Sequence, residues 1–195
     1  MKKLLITGFD PFGGQKINPS HECVCALNEV IGEFSLVKLQ IPTVFEKAFL
    51  TVKNKADEIK PDAIICVGQA GGRRAITPEA VAINLKDANI PDNEGNTPHY
   101  EKICQDGENA YFTSLPVTKM VEKIKSVGVN SAISFSAGAF VCNETLYRLL
   151  KEYDGTSVKV GFIHIPYLPC QAQNGEPSLS LEDMVKGLTA AITAL

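Results

Sequence analysis

The sequence predicts an α/β fold, a three-layer α/β/α sandwich on a mixed, mostly parallel, twisted sheet, and three observations point to it. Short apolar runs of strand length alternate along the chain with longer amphipathic segments of helical period. Several of the short runs end in Gly or Pro. The 195 residues suit one core of substantial size, so residues 1–195 are read as a single domain with no internal repeat and no low-complexity tract.

Strands are expected over residues 3–7, 36–41, 63–68, 81–85, 132–135 and 158–165. The run Ala63-Ile64-Ile65-Cys66-Val67 is apolar on both faces, which suits a strand covered on both sides and makes Cys66 a small core residue. Helices are expected over 20–31, 43–59, 117–127, 143–153 and 181–195. Three starts carry clear signals: Pro19-Ser20, Pro42-Thr43, and Ser180 with Asp183 three residues on. Residues 86–106 are rich in Asp, Asn, Gly and Pro with little periodicity, and read as a loop or hairpin excursion.

Composition narrows the function. Hydrophobic residues make up 45% and charged residues 21%, ordinary for a soluble globular chain. A net charge of -3 gives no general attraction to nucleic acid or to an anionic membrane. Leu4-Leu5-Ile6 is cut short by Thr7-Gly8, well below the length of a secretory or membrane-spanning segment, so a cytoplasmic protein is expected. The six cysteines lack the dense spacing of a disulfide scaffold and read as reduced thiols. No Cys-x-x-Cys and no zinc-type His/Cys spacing occurs, and no metal or organic cofactor is expected.

In α/β sheets ligands gather beyond the carboxyl ends of the strands, and four unusual segments fall there. They are Gly8-Phe9-Asp10-Pro11-Phe12-Gly13-Gly14, Gly68-Gln69-Ala70-Gly71-Gly72-Arg73-Arg74, the stretch before Cys142, and His164-Ile165-Pro166. Glycines after strands are commonly turn chemistry alone, but Phe9 and Phe12 in so tight a loop need a core or a ligand to cover them. The loop is neither a phosphate-binding Gly-Lys-Ser/Thr motif nor a dinucleotide fingerprint. Arg73-Arg74 beside two glycines reads as an anion holder or, more commonly, as a solvated pair.

Cys142 stands where the small-residue stretch Ser136-Ala137-Gly138-Ala139 and Phe140-Val141 give way to a helix-like run. A thiol there meets the positive end of a helix dipole, and small residues before it let a substrate carbonyl approach unpaired backbone N–H groups. Only three histidines exist as candidate bases. His21 lies in a first helical turn, His99 in the polar excursion, and His164 interrupts Val160-Gly161-Phe162-Ile163 at its end. A lone strand histidine is more often a satisfied core residue, but the expected fold brings His164 to the same edge as Cys142. A carboxylate should orient the imidazole, and Asp10, Glu79, Asp87, Asp92 and Glu94 all qualify; spacing does not choose among them.

The chain resembles the pyroglutamyl peptidase I (pyrrolidone-carboxylate peptidase) family over essentially its whole length. The matching blocks are Ile6 to Gly14 with Asn18-Pro19-Ser20, Gly68 to Arg73, Thr77-Pro78-Glu79, Ala82-Ile83-Asn84 with Ile90 to Gly95, Ala137 to Asn143, and Phe162-Ile163-His164-Ile165-Pro166. The resemblance implies a phosphorylase/hydrolase-like sandwich and a cysteine exopeptidase that removes N-terminal pyroglutamate through a thioester. It implies Cys142 as nucleophile, His164 as general acid/base and Glu79 as its orienting carboxylate, with Phe9, Phe12, Asn18, Gln69, Ile90, Phe140 and Val141 around the lactam ring. It further implies a homo-oligomer, commonly a tetramer, and peptides bearing N-terminal pyroglutamate as partners, with no nucleic acid or membrane.

The residues suit that chemistry, because a neutral lactam needs apolar walls and a few amide partners rather than a carboxylate for an ammonium. Asn18 and Gln69, or backbone near them, match the lactam N–H and C=O, and proline would leave such groups stranded. Many relatives carry Arg where this chain has Asn89, and Cys170 is atypical. Two other readings remain: a phosphate-dependent, nucleoside-phosphorylase-like enzyme using Gly71-Gly72-Arg73-Arg74, and a non-catalytic module that binds capped N-termini.

Overall fold

The apolar run near the N-terminus forms β1 (Lys2–Phe9), and the sheet grows from it on both sides. In a computed structural model describing residues 1–195, α1 (Pro19–Ala26), β2 (Val30–Ile31), β3 (Phe34–Ile41), α2 (Lys47–Ile59) and β4 (Ala63–Gln69) follow. Next come β5 (Thr77–Pro78), β6 (Val81–Ile83), β7 (Ala110–Phe112), α3 (Val117–Ser126), α4 (Val141–Glu152), β8 (Lys159–Ile165) and α5 (Leu181–Ile192). The main sheet has the order β2-β3-β1-β4-β8-β5. Its four long strands run parallel, and its two short edges pair antiparallel. Strands β6 and β7 form a separate antiparallel hairpin.

Alternate residues of a strand face opposite sides, so the long strands feed two cores. Leu4, Ile6, Ile65, Val67 and Ile163 pack with Cys23 of α1, Met120 and Ile124 of α3, and Met184 and Leu188 of α5. Leu5, Phe9, Ile64, Cys66 and Phe162 pack with Val52 and Ala56 of α2, and Leu146 and Tyr147 of α4. The expected three layers follow from these two sets.

Several boundaries differ from the sequence reading. Helix α1 stops at Ala26 because the chain turns at Gly32 (φ 58°) to pair β2 with β3. Helix α2 begins at Lys47 and not at Thr43, since Asp10 Oδ1 takes the Thr43 N–H at 2.7 Å and Asp92 Oδ2 takes that of Phe45 at 3.0 Å. The strand expected over 132–135 survives only as two isolated bridges, Ile76 with Ser131 and Glu79 with Ser134. Backbone bonds from Ile76 N, Ala132 N, Ser134 N and Ala80 N connect the two segments, but Pro78 has no N–H for the rung between them. The run 81–85 does form a strand, shorter and in the outer hairpin.

Candidate active site

Strand register assembles the site. Gly68 and His164 are partners on β4 and β8, and Thr77 of β5 pairs with His164 from the other side. In-register residues face the same way, so Gly68, Thr77, Phe162, His164 and, two residues beyond Thr77, Glu79 all face α4. A Cβ on Gly68 would lie 2.7 Å from the Phe162 ring and 3.2 Å from Cys142 Sγ. Only glycine there lets the thiol settle onto the sheet beside His164. No hydrogen bond joins the thiol to the imidazole at rest; the two are neighbours across Gly68.

His164 Nδ1 lies 2.7 Å from Glu79 Oε1, with both residues buried. The ionised carboxylate only accepts, so Nδ1 carries the proton and Nε2 is the free base. Arg73 clamps Glu79 from the far side, donating to Oε1 at 2.7 Å, to Thr77 Oγ1, and to Ser136 O at 3.0 Å. Arg73 is thus a half-buried partner of Glu79 rather than a free cation, which takes one of the two arginines away from the phosphorylase reading; Arg74 stays exposed. Glu79 Oε2 has no hydrogen-bond partner, the nearby Ser134 hydroxyl being turned to Ser136 O. The other carboxylates are occupied elsewhere: Asp10 and Asp92 tie loops, Asp87 accepts from Tyr100 N, and Glu94 pairs with Lys47. His21 lies 3.5 Å from the exposed Cys25, and His99 faces Asp87, so neither competes with His164.

Cys142 is the second residue of α4, whose N-cap, Phe140, supplies no side-chain hydrogen bond. The first backbone N–H to be satisfied within the helix is that of Glu144, to Phe140 O at 3.2 Å, which leaves those of Val141, Cys142 and Asn143 for an incoming oxygen. The α4 start is held by Asn143, which accepts from Ile83 N and donates to Ile83 O and Leu85 O. Glu144, also buried, accepts from Glu46 N at 2.7 Å and pairs with Arg148.

The electrostatics depart from the simple dipole picture. Burial, followed by the Glu79 charge and Cys66, pushes the Cys142 thiol up to about 12, against the pull of Arg73 and its own backbone N–H. Burial also lowers His164 below its ordinary value despite Glu79, with Arg73 adding to the fall. Burial would raise Glu79, but His164 and Arg73 outweigh that and hold it ionised. The resting site therefore holds a neutral thiol, a neutral imidazole and a carboxylate. The largest influence on the half-buried thiol is the desolvation of a sulfur anion at the sheet.

Of the implied lactam-pocket residues, Phe12 and Phe140 are half-buried with ring centroids 6.1 Å apart, and Phe45, not singled out by sequence, meets Phe140 edge-on at 5.3 Å. Ile90 is 46% exposed and reaches within 3.8 Å of a would-be Gly13 Cβ. Phe9 and Val141 are sealed in the core, so they back the site; Phe9 does so against Phe162 at 6.1 Å. Asn18 is buried, its Oδ1 accepting from Ser20 N and Oγ to cap α1 and its Nδ2 donating to Asp10 O at 2.9 Å. It braces the Phe9–Phe12 loop. Gln69 ends β4, where the ladder with β1 has stopped at Val67 while that with β8 continues, leaving the β1-facing edge unladdered. Sequence reasoning missed Arg73 as a clamp, Phe45 and Asn143; the one available signal was a basic residue six positions before Glu79.

All six cysteines are free thiols, with Cys66 buried and Cys170 exposed. No helix is long and apolar enough to cross a membrane.

A family model described as pyroglutamyl peptidase matches residues 2–195. The pyrrolidone-carboxylate peptidase of Lactobacillus acidophilus is 51% identical over 195 residues, spanning 98% of each chain. That of Thermosipho africanus is 51% identical, spanning 99% of this chain and 96% of the relative. Among solved structures, pyroglutamyl peptidase I from Bacillus amyloliquefaciens superposes with a TM-score of 0.96 at 50% identity, over 100% of this chain and 96% of that one. Pyrrolidone carboxyl peptidase from Thermococcus litoralis gives a TM-score of 0.94 at 37% identity, over 100% and 93%.

Proposed function

We propose how this chain, which belongs to the pyroglutamyl peptidase family, hydrolyses its substrate. It is a cysteine-type peptidase that removes N-terminal pyroglutamate from peptides. Cys142 is the nucleophile, His164 the general acid/base and Glu79 the carboxylate that orients it. The observation carrying this assignment is the 2.7 Å contact of His164 with Glu79, on the strand pair whose Gly68 supports the Cys142 sulfur.

Because thiol and imidazole rest neutral, the thiolate forms only as the proton passes to His164 Nε2 when the substrate carbonyl arrives. Sulfur then bonds to the pyroglutamyl carbonyl carbon, and the oxyanion is held by the N–H groups at the α4 start. Collapse breaks the C–N bond, His164 gives its proton to the departing amine, and a thioester remains. Water, deprotonated by the same imidazole, adds to the thioester and releases pyroglutamate, and the proton returns to sulfur. Glu79 stabilises the imidazolium formed in each half, and Arg73 keeps Glu79 in place and ionised.

Phe12, Phe140 and Ile90 form the apolar walls, braced by Phe9, Phe45, Val141 and Asn18, and Gln69 offers amide groups to the lactam. Glu79 is fully buried behind Arg73 and His164 and so is not available to pair with a free α-ammonium, which suits a blocked N-terminus. The reading includes one domain over residues 1–195, a cytoplasmic setting in keeping with six free thiols, and a homo-oligomer. Oligomer formation is supported by the apolar face of the β6–β7 hairpin, where Val81, Ile83, Ala110 and Phe112 share one side and Phe112 is 78% exposed. Light scattering would test it.

The direct test is release of a fluorophore from a pyroglutamyl amide. Cys142→Ala should abolish turnover while leaving the melting temperature close to wild type; continued cleavage would remove Cys142 as nucleophile. A wild-type chain that binds but never cleaves would restore the binding-module reading.

A further inference from the structure

We propose that Asp92 and Asn93, in the 86–106 excursion, are positioning residues that bolt together the apolar walls of the site and so set the size of ring it accepts. The proposal rests on the reading of Phe12, Phe140 and Ile90 as those walls.

Apolar contact has no direction, so ring packing alone leaves the walls free to slide or part. Two adjacent residues supply the directional constraint. Asp92 is buried although it is an acid. Its Oδ1 accepts from Glu94 N and from Asn96 N, each at 2.9 Å, which closes a turn just past Ile90. A turn that only closed itself would need no more. The second oxygen, Oδ2, accepts from Asn96 Nδ2 at 2.8 Å and also from Phe45 N at 3.0 Å, on a segment distant in sequence. Burial would raise Asp92, but the Asn96 side chain and the N–H groups of Asn96, Phe45 and Glu94 keep it below its ordinary range, as an acceptor only. Phe45 in turn meets Phe140 edge-on, and the next N–H, that of Glu46, goes to Glu144 in the first turn of α4. Asn93 makes the other tie. Its Nδ2 donates to Pro11 O at 2.9 Å and to Asp10 Oδ1 at 3.1 Å, and its backbone N donates to Thr43 O at 3.1 Å. Pro11 precedes Phe12, whose ring faces Phe140, and the Ile90 side chain lies beside Gly13. One turn therefore joins the segments of Ile90, Phe12 and Phe45, and the walls cannot part without breaking one of its bonds.

The test compares kcat and KM for two amides that differ by one ring methylene, the pyroglutamyl amide and its six-membered lactam homologue, with a melting temperature for every variant. Fixed walls should make the wild type favour the five-membered ring by about 10- to 200-fold in kcat/KM. Asp92→Asn keeps an oxygen for Glu94 N and Asn96 N but turns an NH2 onto Phe45 N, so it cuts that tie while the turn stays closed. It should narrow the preference about tenfold, since parting the walls no longer costs a charge-assisted hydrogen bond, and its effect on the pyroglutamyl amide should fall on KM and not on kcat. Should Asp92→Asn fail to fold, Asn93→Ala serves: the residue is exposed, and losing its neutral bonds should narrow the preference about threefold. Plain destabilisation would lower both substrates alike and leave the ratio where it was. A ratio unchanged in both variants while Phe12→Ala narrows it would overturn the clamp alone. A wild-type ratio near one, or a ratio that Phe12→Ala also leaves unchanged, would overturn both the clamp and the reading of the walls.

Discussion

Ser180 closes the start of α5: its Oγ accepts from Asp183 N at 3.0 Å and donates to Asp183 Oδ2 at 2.9 Å. Phe140 occupies the same position before α4 and offers no acceptor, so the N–H groups of Val141, Cys142 and Asn143 stay unspent. A capped helix start is about 1 kcal/mol more stable than an uncapped one. Helix α4 forgoes that gain at the point where a developing oxyanion would need donors. A further feature separates the two starts. Helix α5 begins at an exposed position, whereas the first turn of α4 is pressed onto the sheet with its thiol against Gly68, the strand partner of His164. One start is capped and exposed, and the other is uncapped and packed, with three N–H groups left for the oxyanion that the proposed mechanism requires.

The largest break in this contrast should come from Gly68→Ala. The new methyl would sit 2.7 Å from the fully buried Phe162 ring and 3.2 Å from the sulfur, and the ring has no room to yield. Cys142 would then be lifted from its place beside His164. A displacement of about 1 Å at a reacting atom costs roughly a hundredfold in rate, so kcat should fall by about that factor with KM changing far less. Activity close to wild type would mean that the α4 start tolerates movement and that its seat on Gly68 is unimportant.

Acid pH probes the same site without a substitution. Burial lowers His164 below its ordinary value and raises the thiol to about 12, so the neutral pair persists from below the usual histidine range into alkaline solution. The imidazole must be unprotonated to take the thiol proton. As pH falls through its lowered pKa the base is lost, and kcat/KM should fall about tenfold per unit beneath it. The acid limb of a pH profile should therefore lie below the ordinary imidazole pKa of about 6.5. A limb above that value would require a site in which Glu79 outweighs burial. It would favour a resting thiolate–imidazolium pair, the state the helix dipole alone suggests.

How far the sequence shows this contrast depends on the scale of the cause. Ser180 with Asp183, and Pro19-Ser20, are local patterns, and the helices start at Leu181 and, one residue before the expected Ser20, at Pro19. The apolar runs at Lys2–Phe9, Ala63–Gln69 and Lys159–Ile165 were legible because burial on both faces leaves a continuous signature. What failed was set by distant partners. Thr43 looked like a helix start until Asp10, thirty-three residues away, claimed its N–H. The strand expected over 132–135 is broken by a proline on its neighbour and not by its own residues. The strand pattern placed Cys142 and His164 at one edge but left five carboxylates open, with Glu79 chosen only by the family resemblance, and Arg73 read as a solvated cation because its partner is a buried carboxylate six residues on. Likewise the dipole argument for a thiolate is local, while the desolvation that defeats it belongs to the assembled core.

The pair Phe140→Ala and Phe140→Ser sharpens the comparison at α4. Both lose the ring that meets Phe12 and Phe45, so both should slow the enzyme by weakening the pocket wall. Serine alone adds an acceptor that can cap Cys142 or Asn143 N–H, as Ser180 does at α5. The serine variant should therefore melt higher than the alanine variant, by about 1 kcal/mol of stability, yet turn over more slowly, by about tenfold in kcat. If serine gave more stability and equal or faster turnover, the open N–H groups at α4 would have no part in holding the oxyanion.

Ser180→Ala is the mirror of that experiment and the smallest expected effect. Removing the hydroxyl frees Asp183 N at an exposed helix start, where water can take its place, so stability should fall by about 1 kcal/mol in denaturant titration. Gly187, Leu188 and Ala191 keep the helix packed on the α3 side of the sheet, opposite the face that carries Cys142 and His164. Both kcat and KM should stay within about twofold of wild type, the additivity expected of sites that share no partner. A fall in kcat there would show that the two faces of the sheet are mechanically linked, and that the contrast between the helix starts is one of degree.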